Sequence, residues 1–402
     1  MYDNLPVAVT LLVLAVLGLV LVANGLRPTR WTPLLVPSFF AAWLTVELAP
    51  QLLVLLVATA AVLVALGALQ GLGWLGLAIV VVNVLALGRM VLQAEQAAAV
   101  ADAALAEWPE PDHPEPYAVR GLRRFFVPMA FSHPDVERTV DVAYGDGPRQ
   151  VLDVYRRTDH PTGSPTLLQV HGGAWVIGDK REQGRPLMLH LARKGWVCFA
   201  PNYRLSPKAT WPAHLYDVKQ ALAWVREHGQ EYGADPGFVV VTGGSAGGHL
   251  AALLALTQNE PEWQPGFEDA DTSVQGCVPY YGVYDLANDL DSKWGRQREN
   301  RLLAKVVMKT RDRAVYEAAS PIAQAKEAPP IFVIHGRNDT LAPVEEAREL
   351  VRRLREVSSQ QVLYLELPGT EHAFDVFPSV RSDHVVRAVG RFCELLRARR
   401  LS

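Results

Sequence analysis

The sequence predicts an α/β domain, a mostly parallel sheet with helices on both faces and a small cap, preceded by an all-α membrane region. Three observations predict it. The first ninety residues hold long stretches without a charge. Beyond residue 137, short β-rich runs alternate with helical stretches. Most of those runs are nearly continuous in apolar residues, as strands buried on both faces are, instead of alternating with a period of two. The 402 residues exceed one average domain and the apolar residues gather at the N-terminus, so the chain divides into a membrane region 1–90, a connector 91–136 and an α/β domain 137–402.

Leu5 to Leu26 is a run of 22 residues without a charge, enough at about 1.5 Å per residue to cross a hydrocarbon core about 30 Å thick. Met1 to Asn4 includes no Lys or Arg, so the basic start of a cleaved secretory signal is missing. Leu34 to Ala49 is apolar but short and holds Pro37 and Glu47; it spans, re-enters or lies at the interface. Leu48 to Gly88 adds 41 uncharged residues, room for two spans broken at Gln70 to Gly73. The expectation is a multi-pass protein of the cell membrane with three or four spans. Arg27 and Arg30 place the first loop in the cytoplasm. Three spans then leave the following domain inside and four put it outside, with Arg89 favouring three.

Residues 89 to 107 are rich in Ala, Gln and Glu and read as helical, and Trp108 to Pro116 then places four prolines in nine residues, a stiff extended connector. The net charge is -3, with no basic block beyond Arg120, Arg123 and Arg124, so nothing suggests nucleic acid. Cys198, Cys277 and Cys393 each lie within an apolar run and read as buried thiols, not as a disulfide framework or a metal site.

In the α/β domain, Val140 to Tyr144 and Gln150 to Tyr155 alternate around Gly145 to Pro148 and read as an antiparallel hairpin at one edge. Thr166 to Val170, Trp196 to Ala200, Phe238 to Thr242, Val274 to Tyr280, Ile331 to Ile334 and Val362 to Leu367 read as buried strands, with helices between most of them. Leu286 to Ala328 fits neither pattern. It reads as a cap inserted over the C-terminal edge of the sheet, where open α/β sheets place their sites.

Gly243-Gly244-Ser245-Ala246-Gly247-Gly248 joins the strand Phe238 to Thr242 to a helical segment. That context is what a nucleophile elbow demands: small neighbours let a serine occupy a tight, strained turn at a helix N-terminus. A serine hydroxyl is a poor nucleophile at neutral pH and needs a base and an orienting acid, here in the chain order Ser, Asp, His. Asp339 follows the strand Ile331 to Ile334, and His372 follows Val362 to Leu367. Asp285, also after a strand, is the rival acid. Acyl transfer also needs donors for the developing oxyanion. Gly172 and Gly173, in the His171-Gly172-Gly173-Ala174-Trp175 loop after Thr166 to Val170, offer two amides and Ala246 a third. His171 is expected to brace the loop. Trp175 and Tyr281 are expected on the pocket wall. The set implies no metal or organic cofactor.

With these residues assembled, residues 137 to 398 resemble the hormone-sensitive-lipase-like branch of α/β-hydrolases, in particular carboxylesterases and lipases of mycobacteria and related actinobacteria that carry N-terminal membrane helices. The resemblance implies the α/β-hydrolase fold and cleavage of carboxylic esters, including lipid esters, through a Ser245, His372, Asp339 triad. The last position of the usual HGGG loop is Ala174 here, and Gly244 stands where many relatives have an acidic residue. The His-Gly-Gly-x-Trp loop also resembles arylformamidases, so an amidase or peptidase is the alternative, and a non-catalytic binding module is a third class. An anchored domain of this type meets lipid-like esters from the bilayer, with the inserted cap as a gate.

Overall fold

The computed structural model describes residues 4–108 and 132–401. The proline-rich connector therefore lies outside the described residues, except for Trp108.

Four helices precede the sheet: α1 (Leu5–Leu26), α2 (Leu35–Glu47), α3 (Ala49–Ala65) and α4 (Gly73–Leu105). α1 begins and ends where the uncharged run does. α1 and α4 are long and apolar enough to cross a membrane, and α2 with α3 form a pair bent by 81° that adds a third span if counted as one. α1 and α4 run parallel, because their contacts keep a constant offset. A methyl added at Gly76 would stand 2.9 Å from Leu12 N, one at Gly18 2.8 Å from Asn83 Nδ2, and one at Gly25 2.9 Å from Met90 Cε. Small residues at these crossings let two apolar helices approach closely. α3 runs the other way, with Ala60 beside Leu11 and Val80, and Ala49 beside Val22 and Met90.

α2 does not follow this bundle. Its residues Val36, Phe40 and Leu44 are exposed, while Phe39, Trp43 and Glu47, spaced four apart on another face, meet the C-terminal domain. Trp43 stacks on Phe377 with centroids 4.5 Å apart. Glu47 accepts from Ser379 Oγ at 2.6 Å and pairs with Arg381, and both ion-pair partners are fully buried. The structure thus shows this segment as a helix laid on the face of the α/β domain.

α4 continues without a break through residue 90. Its last turns, from Ala97 to Leu105, pack with Trp108, Trp196 and Phe392 inside a core of the α/β domain. The helical part of the expected connector is thus part of that core.

The sheet has eight strands, β1 (Val136–Ala143), β2 (Val151–Arg157), β3 (Ser164–Val170), β4 (Val197–Pro201), β5 (Ala234–Gly244), β6 (Gly276–Tyr280), β7 (Ile331–Gly336) and β8 (Val362–Leu367), in the order β1-β2-β4-β3-β5-β6-β7-β8. β1 and β2 form the expected antiparallel hairpin, with Ala143 opposite Val151. β2 also runs antiparallel to β4, and every later pairing is parallel. β3, β4, β6 and β7 are buried at every position, in keeping with their near-continuous apolar runs.

α5 (Arg185–Arg193), α6 (Ala213–His228), α7 (Ala246–Leu256), α8 (Lys293–Arg298), α9 (Arg313–Ala318), α10 (Val344–Val357) and α11 (Val380–Leu401) complete the fold. The expected cap contains α8, a π-helical stretch Glu299–Val307 and α9. It is tied to the rest by the buried pair Arg298–Glu346, 2.7 Å, by Trp294 Nε1 donating to Leu341 O, 3.1 Å, and by Leu303 and Val307 in the main core.

Candidate active site

β5 delivers Ser245 to the sheet's C-terminal edge. Ser245 has φ 57° and ψ -120°, a region that side chains rarely adopt and that persists only where the surroundings enforce it. Here they do: Ser245 N donates to Tyr280 O at 3.0 Å, and His249 N donates to Ser245 O at 3.0 Å. There is no room for larger neighbours, since a methyl on Gly248 would stand 2.7 Å from Tyr280 O and one on Gly244 2.7 Å from the Tyr281 hydroxyl. Ser245 is half-buried and immediately precedes α7, whose first amides have no intrahelical acceptor. Ala246 supplies one of these.

β7 and β8 deliver the other two groups. Asp339 is fully buried, and its Oδ2 lies 2.7 Å from His372 Nδ1. Its Oδ1 accepts from Leu341 N, 2.8 Å, and Ala342 N, 2.7 Å. Burial alone would raise the pKa of this carboxyl; the charge on His372 and the bonds from His335 and His372 outweigh it and hold the group below the usual carboxylate range. The carboxylate thus fixes the imidazole with its proton on Nδ1 and leaves Nε2 to accept. Among the described residues no hydrogen bond joins Nε2 to Ser245 Oγ, and such bonds commonly tighten only with substrate in place. Tyr281 lies beside both, with its ring 4.5 Å from that of His372 and its hydroxyl against Gly244. That hydroxyl donates to Asp375, whose carboxyl burial pushes up to about 6.

The rival acid is placed elsewhere. The Asp285 oxygens accept from Asp289 N, 2.8 Å, and Leu290 N, 3.0 Å, and so shape the start of the cap. Glu371 neighbours His372 in the sequence. It accepts from Thr340 N and His372 N, both at 2.8 Å, and burial together with the Asp339 charge raises it to about 7.

The loop after β3 is braced from below. His171 Nδ1 meets Gly172 O at 2.7 Å, its ring stacks on Tyr203 at 4.3 Å, and burial pushes it down to about 4, which keeps it neutral. Gly173 has φ 116°, which only glycine takes without strain, and Ala174 follows at φ 52°. Gly172 N donates to Gln183 Oε1 at 2.7 Å, so its amide is engaged and reaches an oxyanion only if that carboxamide swings away. Gln183, eleven residues along in a loop, carried no sequence signal. Trp175, expected on the pocket wall, is 1% exposed and packs in the core against His249, to which its Nε1 donates at 3.2 Å.

Three further residues were not read as site residues, and all come from the N-terminal segment. Arg30 Nη2 donates to Asp339 O at 2.8 Å, Trp43 Nε1 donates to Ala373 O at 2.9 Å, and the Phe39 ring stands edge-on 6.2 Å from His372. Glu47, an acid inside an apolar run, was the one visible sign that this segment faces protein.

The BD-FAE family profile matches residues 152–354, half of the chain, and takes in the elbow, the loop after β3 and Asp339. The chain belongs to the BD-FAE family. Over 259 residues the chain is 52% identical to a probable carboxylic ester hydrolase, LipM, of Mycobacterium tuberculosis, a match covering 63% of this chain and 60% of that protein. Over 291 residues it is 43% identical to the esterase LipC of the same organism, covering 71% and 70%. Among solved structures, butyrate-bound esterase Est2 of Thermogutta terrifontis aligns with a TM-score of 0.54 at 23% identity, over 64% of this chain and 93% of that one. That likeness shows the α/β-hydrolase fold, and the mycobacterial relatives bear out the hormone-sensitive-lipase-like resemblance of the motifs.

Proposed function

We propose that the protein is a membrane-anchored serine carboxylesterase or lipase. The observation that carries this reading is the Asp339–His372 hydrogen bond, 2.7 Å, in a fold that holds Ser245 in a strained turn at the head of α7. His372 takes the Ser245 proton through Nε2 as the oxygen attacks an ester carbonyl, and Asp339 stabilises the imidazolium that results. The amides of Gly173 and Ala246 receive the oxyanion, joined by Gly172 when Gln183 moves aside. His372 then protonates the leaving alcohol, and water repeats the sequence to release the acid. The names of the relatives favour an ester over an amide bond. Ser245→Ala should abolish hydrolysis of 4-nitrophenyl butyrate without a change in thermal stability; full activity in that variant would refute the mechanism.

The anchor follows from the helices. Their large apolar side chains stand exposed, among them Leu17, Val20, Leu55, Leu85 and Leu92, a surface suited to lipid and not to water. Parallel α1 and α4 both run towards the α/β domain, so α3 returns the chain and the crossings are three, with α2 at the membrane surface. The 17 residues of α3 rise about 26 Å, close to the hydrocarbon thickness of about 30 Å. Arg27 and Arg30 then lie on the side of the α/β domain, which puts that domain in the cytoplasm. Labelling of single cysteines at exposed positions of the domain in intact cells tests this, and modification by an impermeant reagent would reverse the assignment.

A further inference from the structure

α2 packs beside the site. Three consecutive turns of this helix touch the segment that carries His372. Phe39 stands against the His372 ring, Trp43 against Phe377 with its indole N–H on Ala373 O, and Glu47 against Ser379 and Arg381. Arg30, in the loop before α2, holds the carbonyl of Asp339. The exposed stripe Val36, Phe40 and Leu44 lies on another face of the same helix. A helix with one apolar stripe against the protein and another left bare is suited to lie in the membrane surface. Beside it the seam is open: a cavity of about 570 Å³ lies between the α1–α2 loop and the cap, with Trp31, Thr32, Trp294, Gln297 and Pro343 among its lining residues.

We propose that α2 is the membrane-side wall of the ester pocket, that Phe39 sets the size of the chain admitted beside His372, and that the substrate is an ester whose hydrocarbon chain stays at the bilayer surface while its carbonyl reaches Ser245. An ester in reaction holds its leaving oxygen within hydrogen-bond reach of His372 Nε2, so Phe39, buried with its ring centroid 6.2 Å from that of His372, borders the alcohol side of the substrate. The backbone bonds from Trp43 and Arg30 and the Glu47–Arg381 pair make this wall rigid, and it is continuous with the lipid-facing stripe. The inference rests on the esterase reading above and adds its substrate class.

Full-length protein in phosphatidylcholine vesicles, assayed with ethyl butyrate and dodecyl butyrate, which differ only on the alcohol side, tests it. A size-setting wall predicts opposite signs: Phe39→Trp lowers the dodecyl-to-ethyl ratio of kcat/KM by about tenfold and Phe39→Ala raises it, the scale on which apolar pockets discriminate chain size. Phe39→Leu falls between the parent and Phe39→Ala, and Leu55→Ala, on the exposed face of α3, leaves the ratio unchanged. Equal loss on both esters in every Phe39 variant means that Phe39 only supports the fold and overturns the proposal, as does an unchanged ratio. A parent protein that hydrolyses neither ester and takes no fluorophosphonate on Ser245 overturns the esterase reading and this inference with it.

Discussion

Asp339→Asn separates a catalytic carboxylate from a structural one at a single oxygen. Asp339 has two jobs on two atoms: Oδ1 accepts the amides of Leu341 and Ala342 at 2.8 and 2.7 Å, and Oδ2 accepts His372 Nδ1 at 2.7 Å and stands 3.3 Å from His335 Nε2. Asparagine keeps one acceptor and turns the other into a donor. If its NH2 faced the loop, two buried amides would lose their acceptor, at roughly 1–3 kcal/mol each, so the oxygen stays with the loop and the NH2 faces His372. The imidazole must then accept at Nδ1 and carry its proton on Nε2, the tautomer that cannot take the serine proton. The expected loss in kcat is about 10⁴-fold, the scale known for the same exchange in a serine protease triad, or about 5 kcal/mol of barrier, with the fold retained. Asp285→Asn is the control, since Asp285 accepts two amides and no histidine; its kcat should stay within about threefold of the parent. Steady-state kinetics on 4-nitrophenyl butyrate with thermal unfolding of each variant make the comparison. An Asp339→Asn enzyme within tenfold of the parent, or an Asp285→Asn enzyme as impaired, would refute the assignment.

Gly173→Ala places a side chain where φ is 116° and should lower kcat by about 10²- to 10³-fold, the cost of one lost oxyanion donor, with KM changed only a few-fold; an unaffected kcat removes Gly173 from the oxyanion site. Glu371, raised from 4.5 to about 7 by burial and the Asp339 charge, keeps in the folded state a proton that the unfolded chain releases above its ordinary pKa. Its contribution therefore makes stability fall as pH rises from about 4.5 to about 7. Asp375, raised to about 6 by burial, acts in the same sense. Glu371→Gln should flatten the decline of Tm across that window, and an unchanged slope would count against it. Glu47→Ala leaves Arg381 buried and unpaired and should cost about 3–5 kcal/mol, most of it recovered in Glu47→Leu/Arg381→Met; denaturation in detergent reads both, and a single variant as stable as the parent would show that α2 is not held by this pair.

Much of the site was legible because its signals are local. The elbow needs its glycines within a few residues of Ser245, and Asp339 and His372 each follow a strand whose near-continuous apolar run marks it as buried. The strands were found to within a few residues for the same reason. What stayed hidden depends on side chains far apart in the chain. Nothing near Gly172 announces that Gln183 will occupy its amide, and Trp175 looks the same whether it lines a pocket or fills the core. The apolar composition of α2 suits lipid and protein equally, so its packing on His372 left no trace beyond Glu47. The same ambiguity hides that the alanines from Ala97 to Ala104, read as connector, pack in a core.

The central claim is that Ser245 is the nucleophile that His372 and Asp339 activate. Treating the full-length protein in vesicles with a fluorophosphonate, digesting it and locating the adduct by mass spectrometry tests that claim most directly. The account predicts one adduct per chain, on Ser245, with loss of ester hydrolysis in step with labelling and much slower labelling of Asp339→Asn. An adduct on another residue, or ester hydrolysis that survives complete labelling of Ser245, would contradict it.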